Sequence, residues 1–229
     1  MDFPNLLPIY NWLGDIAFCV GGVLAAKFVV KKRYIWILSG IATTFLGGAI
    51  LRDLIMLNTI PSILSSPQEL IAMTLLAVLA TLVFPQLDQL PTPNSGKSVA
   101  TLISFILVAI DSIGILAFSA IAYDRGIIAS GSLVTAIACG WCTACGGGLF
   151  AAIFRSAAKN GSLTARLDDF SDTVSKNIPY YRFGFATTIT YTFLSIAGVD
   201  RNVTLAFMTI PVLILGYLTN REMTVRGCH

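Results

Sequence analysis

Five long stretches of this sequence carry no charged residue, and such stretches are typical of segments inside a lipid bilayer. They are 34–51, 70–87, 126–154, 183–199 and 202–220. Each has at least 17 residues, and about 20 apolar residues cross the hydrocarbon core of a bilayer. Two further runs, 3–26 and 98–123, are long enough if each keeps one acid, Asp15 and Asp111 respectively. The sequence therefore predicts an all-α integral membrane protein with seven transmembrane helices.

The composition of the whole chain agrees with a bilayer environment. Only 12% of the 229 residues are charged and 55% are hydrophobic, whereas soluble domains carry about 25% charged residues. The sequence contains no Ser–His–Asp set, zinc-protease motif or phosphate-binding loop, so we expect that the protein is not an enzyme.

The basic residues fall mostly on one side of the predicted topology. That side holds Lys31, Lys32, Arg33, Lys97, Arg155, Lys159, Arg166, Lys176, Arg182, Arg221 and Arg226. The other side holds Arg125 and Arg201, with Arg52 at the end of the second span. By the positive-inside rule, the N-terminus lies outside and the C-terminus in the cytosol, as expected for a multi-pass protein of the cell (inner) membrane. Topology accounts for these basic loops, so we expect no nucleic-acid partner.

Two glycine clusters suggest an internal repeat within a single membrane domain, 1–229. The segment 46-LGGAILRD-53 lies 99 residues before 145-CGGGLFAA-152, and Asp15 lies 96 residues before Asp111. Because each repeat has three spans, the second repeat enters from the opposite side, as in the inverted repeats of many transporters. The predicted parts are repeat one (about 8–87), a linker (88–97), repeat two (about 98–199), a seventh helix (about 202–220) and a cytosolic tail (221–229).

The glycines in spans two and five are candidate hinge or pore residues. They are Gly47, Gly48, Gly146, Gly147 and Gly148. Each glycine costs a helix about 1 kcal/mol relative to alanine. One cluster could simply allow two helices to cross closely, but two clusters at matching depth favour paired helix breaks near the bilayer midplane. There, freed carbonyl oxygens could coordinate a cation.

Three threonines precede the glycines and are candidate pore-lining residues. Thr43 and Thr44 precede Gly47, and Thr143 precedes Gly146. Their hydroxyl oxygens could replace water around a weakly hydrated ion. Alternatively, each hydroxyl donates a hydrogen bond to the carbonyl four residues earlier in its helix.

The charged residues inside the spans are candidate pore residues as well. An unpaired charge such as Asp111 near the bilayer centre costs at least about 2.5–3.5 kcal/mol. We therefore expect Asp111 to face the bundle interior and either to pair with Lys27 or Arg52 or to be protonated. A buried ion pair could also serve only to orient helices. Lys27 could instead extend to the cytosolic interface, and Asp53 could lie at the outer mouth and attract cations. Asp15 is a candidate pore residue or a structural acid.

The cysteines Cys139, Cys142 and Cys145 recur every third residue on one helix. An iron–sulfur site would need a fourth ligand and usually lies in a loop. We therefore interpret these cysteines as small residues at a helix contact or pore wall, and we predict no metal site.

Two segments carry a resemblance to a known family. The segment 140-GWCTACGGGLFAAIF-154 resembles the fifth-helix GW…GG segment of the prokaryotic trimeric intracellular cation (TRIC) channels. The segment 45-FLGGAILRDLIMLNTIP-61 resembles their second-helix glycine motif, and the likeness extends over about residues 10–220. A related bacterial family linked to glycine transport has two GGGxxRD repeats, but here the second repeat lacks Arg-Asp after GGGLF. This difference favours the channel family.

The resemblance implies a function and an assembly. It implies a potassium-permeable, sodium-tolerant pore through each protomer of a homotrimer surrounded by membrane lipids, with spans two and five kinked at their glycines to form the constriction. We therefore predict a monovalent cation channel that needs no cofactor beyond the permeating K⁺ or Na⁺. The alternatives are a secondary transporter or facilitator of a small solute such as glycine, and a membrane scaffold without transport.

Overall fold

The structure, a computed structural model, describes residues 6–27, 31–45, 52–53, 57–58, 66–87, 96–159, 175 and 177–225. Seven α-helices and no β-strand lie in these segments. They are α1 (Leu7–Lys27), α2 (Arg33–Phe45), α3 (Pro67–Leu87), α4 (Gly96–Ser130), α5 (Leu133–Lys159), α6 (Ile178–Ile196) and α7 (Arg201–Val225). The predicted all-α fold with seven helices is confirmed. Most of the predicted linker, part of the predicted tail, and Gly47 and Gly48 lie outside the described residues.

Four of the helices are long and apolar enough to cross a membrane by themselves. Their apolar stretches are Leu7–Leu24, Pro67–Pro85, Phe105–Ser130 and Arg201–Met223. A shorter apolar stretch, Leu133–Leu149, lies in α5. Lipid-facing positions on these helices carry large apolar side chains, such as Leu75 and Phe207, which are 65% and 73% exposed. The chain is a multi-pass membrane protein.

The turn between α4 and α5 differs from the prediction. The sequence placed this turn at Asp124 and Arg125, but α4 continues to Ser130. The helix ends at Gly131, whose φ of 64° suits a glycine and whose N–H donates to the Ile127 carbonyl oxygen at 2.8 Å. The predicted boundary was wrong: Asp124 and Arg125 lie within the helix, where each has a partner on another element, described below.

Contacts at the two ends of the bundle show that the helices alternate in direction. The N-terminal face is the end of the bundle where α1 and α7 begin close together. At the opposite, distal face, Lys27 Nζ at the end of α1 donates to the Phe84 carbonyl oxygen in the last turn of α3, at 3.4 Å. The helix α4 begins towards the distal face, because Phe105 packs against Tyr217 of α7 with ring centroids 6.3 Å apart. The second group of three helices therefore starts at the face opposite to the first.

The crossing of α1 and α4 joins residues that are 100 positions apart. Gly14 lies against Gly114, so closely that neither position has room for a side chain. One turn further on, the rings of Phe18 and Phe118 have centroids 5.1 Å apart, and such an aromatic pair is worth about 0.5–1.5 kcal/mol beyond its buried area. Small residues at the crossing let the backbones approach, which is how helices associate where lipid removes the hydrophobic driving force.

The same offset of 100 relates two further contacts, one within each group of helices. A Cβ atom at Gly40 of α2 would lie 2.9 Å from the Cys19 carbonyl oxygen, and one at Gly140 of α5 would lie 3.0 Å from the Ser119 carbonyl oxygen. These contacts favour an offset of 100 over the predicted 96 and 99. Asp15 then corresponds to Ile115, so Asp15 and Asp111 do not occupy equivalent places.

The predicted break of the fifth span is wrong. The helix α5 is continuous from Leu133 to Lys159 and passes through Gly146, Gly147 and Gly148 without interruption. Packing accounts for two of these glycines. A Cβ at Gly147 would lie 2.7 Å from Phe18 Cδ2, and one at Gly148 would lie 2.9 Å from Tyr180 Cε1. Tight packing against aromatic rings thus offsets the low helix propensity of glycine.

Candidate functional site

A cavity of about 380 Å³ lies in the half of the bundle next to the N-terminal face. Residues of α1 to α5 line it, together with Arg52 and with Ser66, which precedes α3. Its lining includes Asn11, Asp15, Phe18, Thr44, Phe45, Arg52, Glu69, Phe118, Arg125 and Thr143. We call it the vestibule, because it leads from the N-terminal face towards the crossing of α1 and α4.

Two acids lie on the wall of the vestibule. Asp15 is only 8% exposed, and its Oδ2 accepts a hydrogen bond from Asn11 Nδ2 at 3.1 Å, one turn earlier in α1. Glu69 is in the first turn of α3 and is half-buried. Both carboxyl groups belong to the same cavity, which gives its mouth a negative character.

Two arginines share the third acid of the site. Asp53 is buried and bonded to its neighbour Arg52, whose Nη2 donates to Asp53 Oδ2 at 2.7 Å. The guanidinium of Arg125, from the end of α4, lies 3.7 Å from the same Oδ2. Counted as formal charges, Asp15, Glu69 and Asp53 together with Arg52 and Arg125 sum to −1. This ion-pair group also connects α4 to the segment that follows α2.

Aromatic side chains close the deep end of the vestibule. Phe18, Phe45 and Phe118 line it and are each less than 9% exposed. The ring of Phe18 is in contact with Phe118 on one side and with the bare backbone of Gly147 on another. We call Phe18, Phe118 and Gly147 the aromatic layer, which lies at the crossing of α1 and α4 at the inner end of the vestibule.

The three predicted threonines are divided between this cavity and a helix contact. Thr44 and Thr143 line the vestibule, whereas Thr43 faces α1, where its Oγ1 would lie 2.5 Å from a Cβ at Gly22. All three hydroxyls donate to the carbonyl four residues earlier, at 2.7–3.0 Å. Donation uses the hydroxyl hydrogen and leaves oxygen lone pairs, so Thr44 and Thr143 can still present oxygen to a cation.

Asp111 lies beyond the aromatic layer. It is seven residues before Phe118 in α4, about 10 Å closer to the distal face, and it is partly buried within electrostatic range of Cys145 and Tyr180. The predicted ion pair with Arg52 or Lys27 is wrong. Arg52 bonds to Asp53, and Lys27 bonds to the Phe84 carbonyl at the distal face, 5.9 Å above the Phe84 ring.

The cysteines of α5 take part in helix packing. Cys139 and Cys145 are buried, and Cys145 Sγ lies 3.9 Å from the Tyr181 carbonyl oxygen of α6. A Cβ at Gly184 of α6 would lie 2.5 Å from the same sulfur. The interpretation of these cysteines as helix-contact residues is confirmed for Cys145.

Several residues of the site could not be chosen from the sequence. Phe18, Phe45 and Phe118 are ordinary apolar residues of their spans, and only the crossing of α1 and α4 brings them to one layer. Glu69 and Arg125 lie near the ends of helices, where charged residues usually face water. The sequence contained a signal for one pair only. Phe18 and Phe118 are separated by the offset of 100 that relates the two helix groups.

Comparisons with known proteins agree with this geometry. The sequence profile of a family described as "Glycine transporter" matches residues 9–86, about a third of the chain. A structure determined to explain conductance through TRIC cation channels covers 93% of this chain and 92% of its own, at 23% identity and a TM-score of 0.69. The chain has the fold of the TRIC cation channels.

A second solved structure agrees. It is a TRIC trimeric intracellular cation channel orthologue from Rhodobacter sphaeroides, which covers 98% of this chain and 100% of its own, at 21% identity and a TM-score of 0.66. None of the curated protein sequences matches the chain. The resemblance to TRIC channels drawn from the sequence motifs is confirmed at the level of the fold.

Proposed function

We propose that this chain is a monovalent cation channel, permeable to potassium, with a pore through each protomer of a homotrimer. The observation that carries the proposal is the vestibule, an acid-bearing cavity that runs from the N-terminal face to the aromatic layer at the crossing of two opposed helix groups. The TRIC fold supports it, since both solved relatives are described as cation channels. The cavity lies within one chain and needs no partner to form its walls.

The charges of the vestibule favour cations over anions. Asp53 lies against both Arg52 and Arg125, and the carboxyl groups of Asp15 and Glu69 add two further acids to the wall of the cavity. A cavity in a low-dielectric wall concentrates the field of its charges and raises the local concentration of counter-ions. Weakly hydrated K⁺ would exchange part of its water for the oxygens of Thr44 and Thr143.

Permeation requires the aromatic layer to open. We propose that Phe18 closes the path from the vestibule to Asp111, so that conduction depends on a rotation of the Phe18 side chain or a small shift of α1 against α5. Asp111 would then receive the ion on the distal side. The glycines Gly147 and Gly148 act here as the flat wall against which Phe18 and Tyr180 rest, while the roles of Gly47 and Gly48 as hinge residues remain a prediction from the sequence.

The orientation follows from the charges of the loops. The distal face carries Lys31, Lys32 and Arg33, so we place it in the cytosol and the vestibule on the outside of the cell membrane. Cations would then enter the vestibule from outside.

Single-channel recording in planar bilayers tests the channel function. Purified protein should give stepwise currents in symmetric KCl, and the current at a given voltage should persist when sodium replaces potassium. Asp15→Asn should lower the conductance about twofold at low salt by removing a carboxylate from the cavity. Asp200→Asn is the matched control, because Asp200 is exposed at the same face and lies outside the vestibule. With a KCl gradient across the bilayer, a reversal potential near that expected for chloride would contradict the proposal.

The rival function is transport of a small solute such as glycine, and the profile match over residues 9–86 favours considering it. A transporter predicts saturable uptake of labelled glycine into proteoliposomes and no unitary current. Current steps without glycine uptake would favour the channel.

A further inference from the structure

A second cavity, of about 290 Å³, lies between α4, α6 and α7 at the N-terminal face. None of its lining residues belongs to the vestibule. Asp124, Tyr191, Arg201 and Thr204 supply its polar groups, and Ile127 lies among its apolar ones. We call it the lateral cleft.

The first indication that the lateral cleft binds a ligand is the buried hydroxyl of Thr204. The neighbouring threonines Thr187, Thr188, Thr192 and Thr209 all donate to the carbonyl four residues earlier, at 2.7–3.0 Å. Thr204 is 1% exposed, yet its Oγ1 has no hydrogen-bond partner among the residues the structure describes. A buried hydroxyl without a partner is costly, and Thr204 is one of the residues that line the lateral cleft.

An acid and a base lie side by side in the same cleft. Asp124 Oδ1 accepts a hydrogen bond from the Tyr191 hydroxyl at 3.3 Å, and Asp124 Oδ2 lies 3.3 Å from Arg201 Nε. The Arg201 side chain is 51% exposed and that of Asp124 is 26% exposed. An ion pair this exposed contributes little stability, so a ligand can open it at little cost. Its two ends complement a zwitterion, with an ammonium for Asp124 and an anion for Arg201.

The surroundings of the cleft favour a lipid as the source of that zwitterion. The cleft lies where α6 ends and α7 begins, at one end of the membrane-spanning region. Apolar side chains of both helices face outwards beside it, with Phe193, Ile196 and Phe207 exposed by 68%, 60% and 73%. A soluble zwitterion has no use for this apolar surface, whereas acyl chains would cover it.

We propose that the lateral cleft binds the headgroup of a phospholipid with a primary ammonium, such as phosphatidylethanolamine. The ammonium donates to the Asp124 carboxylate and the Thr204 hydroxyl, and the phosphate pairs with Arg201. The trimethylammonium of phosphatidylcholine has no N–H to donate, so the site discriminates against it.

Native mass spectrometry of the full chain in detergent tests the site. The probes are phosphatidylethanolamine and phosphatidylcholine with identical acyl chains. We expect the wild-type chain to bind phosphatidylethanolamine about fivefold more tightly, since charge-assisted hydrogen bonds are the stronger class. Asp124→Asn and Thr204→Val should remove the preference. Thr187→Val is the matched control and should keep it, because Thr187 is buried in α6 but lies outside the cleft.

Three results would overturn the proposal. One is equal binding of both lipids to the wild-type chain. Another is a preference that survives in Thr204→Val, which decides the matter if Asp124→Asn fails to fold. The third is equally tight binding of glycerophosphoethanolamine, which lacks acyl chains and would identify the cleft as a site for soluble zwitterions. Because the lateral cleft is separate from the vestibule, these results do not depend on whether the chain conducts ions.

Discussion

Position 147 requires a glycine, because any side chain there would collide with the aromatic layer. A Cβ there would lie 2.7 Å from Phe18 Cδ2, 2.8 Å from Phe18 Cε2 and 3.1 Å from the Thr43 carbonyl oxygen. The first two atoms belong to a ring that is itself held by Phe118. The residue therefore fixes how closely α5 approaches α1 and α2, although the helix around it is unbroken.

We predict that Gly147→Leu abolishes single-channel current while the protein still inserts into membranes. The added side chain would push the Phe18 ring against Phe118, and overpacking of this kind typically costs about 1–3 kcal/mol. Current is measured in planar bilayers, and folding is checked by size-exclusion chromatography in detergent. Gly21→Leu is the matched control, because a Cβ at Gly21 meets nothing within 4 Å. Normal currents in Gly147→Leu would show that ions do not pass this layer.

Phe18 gives the opposite test at the same layer. We predict that Phe18→Ala raises the open probability or the unitary conductance, because it removes the ring that closes the vestibule. It should also lower the stability by about 3–5 kcal/mol, the usual cost of truncating a buried phenylalanine. Phe183→Ala is the control, since Phe183 is buried in α6 away from the vestibule. If both variants change the current equally, the effect is one of stability and not of gating.

At the scale of helices, most of the charged residues of the site lie at or near helix ends. Arg125 lies in the last two turns of α4 and reaches Asp53 in the segment after α2, with 3.7 Å between Nη1 and Oδ2. Its side chain is 44% exposed, while that of Asp53 is 3% exposed. The carboxylate of Asp53 therefore stays paired with both arginines as long as α4 keeps its position.

We predict that Arg125→Gln increases potassium conductance about twofold at 0.1 M salt, where charges act over about 10 Å. The change makes the formal charge of the site more negative by one and attracts more cations to the vestibule. At 1 M salt the difference should disappear through screening. Arg182→Gln, at an exposed position near the start of α6, is the control. A loss of conductance in Arg125→Gln at low salt would mean that the ion pair serves to hold the pore open.

The sequence predicts elements better than it predicts their contacts. Five charge-free runs and two runs with one acid each identified the seven helices of the described segments, because lipid excludes unpaired charge along most of a span. The end of α4 was misplaced because Asp124 and Arg125 have partners on α7 and after α2, which no local pattern reveals. The break predicted in α5 was wrong because the propensity cost of glycine is local, whereas the packing that offsets it comes from Phe18 and Tyr180.

At the scale of the whole molecule, the two groups of three helices meet where α1 crosses α4. The core of the first group and the core that α4 to α7 share are separate clusters of buried residues. Gly14, Phe18, Gly114 and Phe118 hold these two parts together at the crossing. The position of the vestibule above the aromatic layer depends on this crossing.

We predict that Gly14→Leu and Gly114→Leu destabilise the protein by similar amounts, about 1–3 kcal/mol each, through overpacking at one shared contact. A Cβ at Gly14 would lie 2.7 Å from Gly114 Cα, and one at Gly114 would collide with Gly14 Cα. Thermal unfolding in detergent measures the loss, with Gly21→Leu on the open side of α1 as the control. Because both substitutions strain the same contact, the double variant should lose less than the sum of the two single losses. Fully additive losses would mean that the two glycines are not in contact. The crossing of α1 and α4 would then not form the inner end of the vestibule.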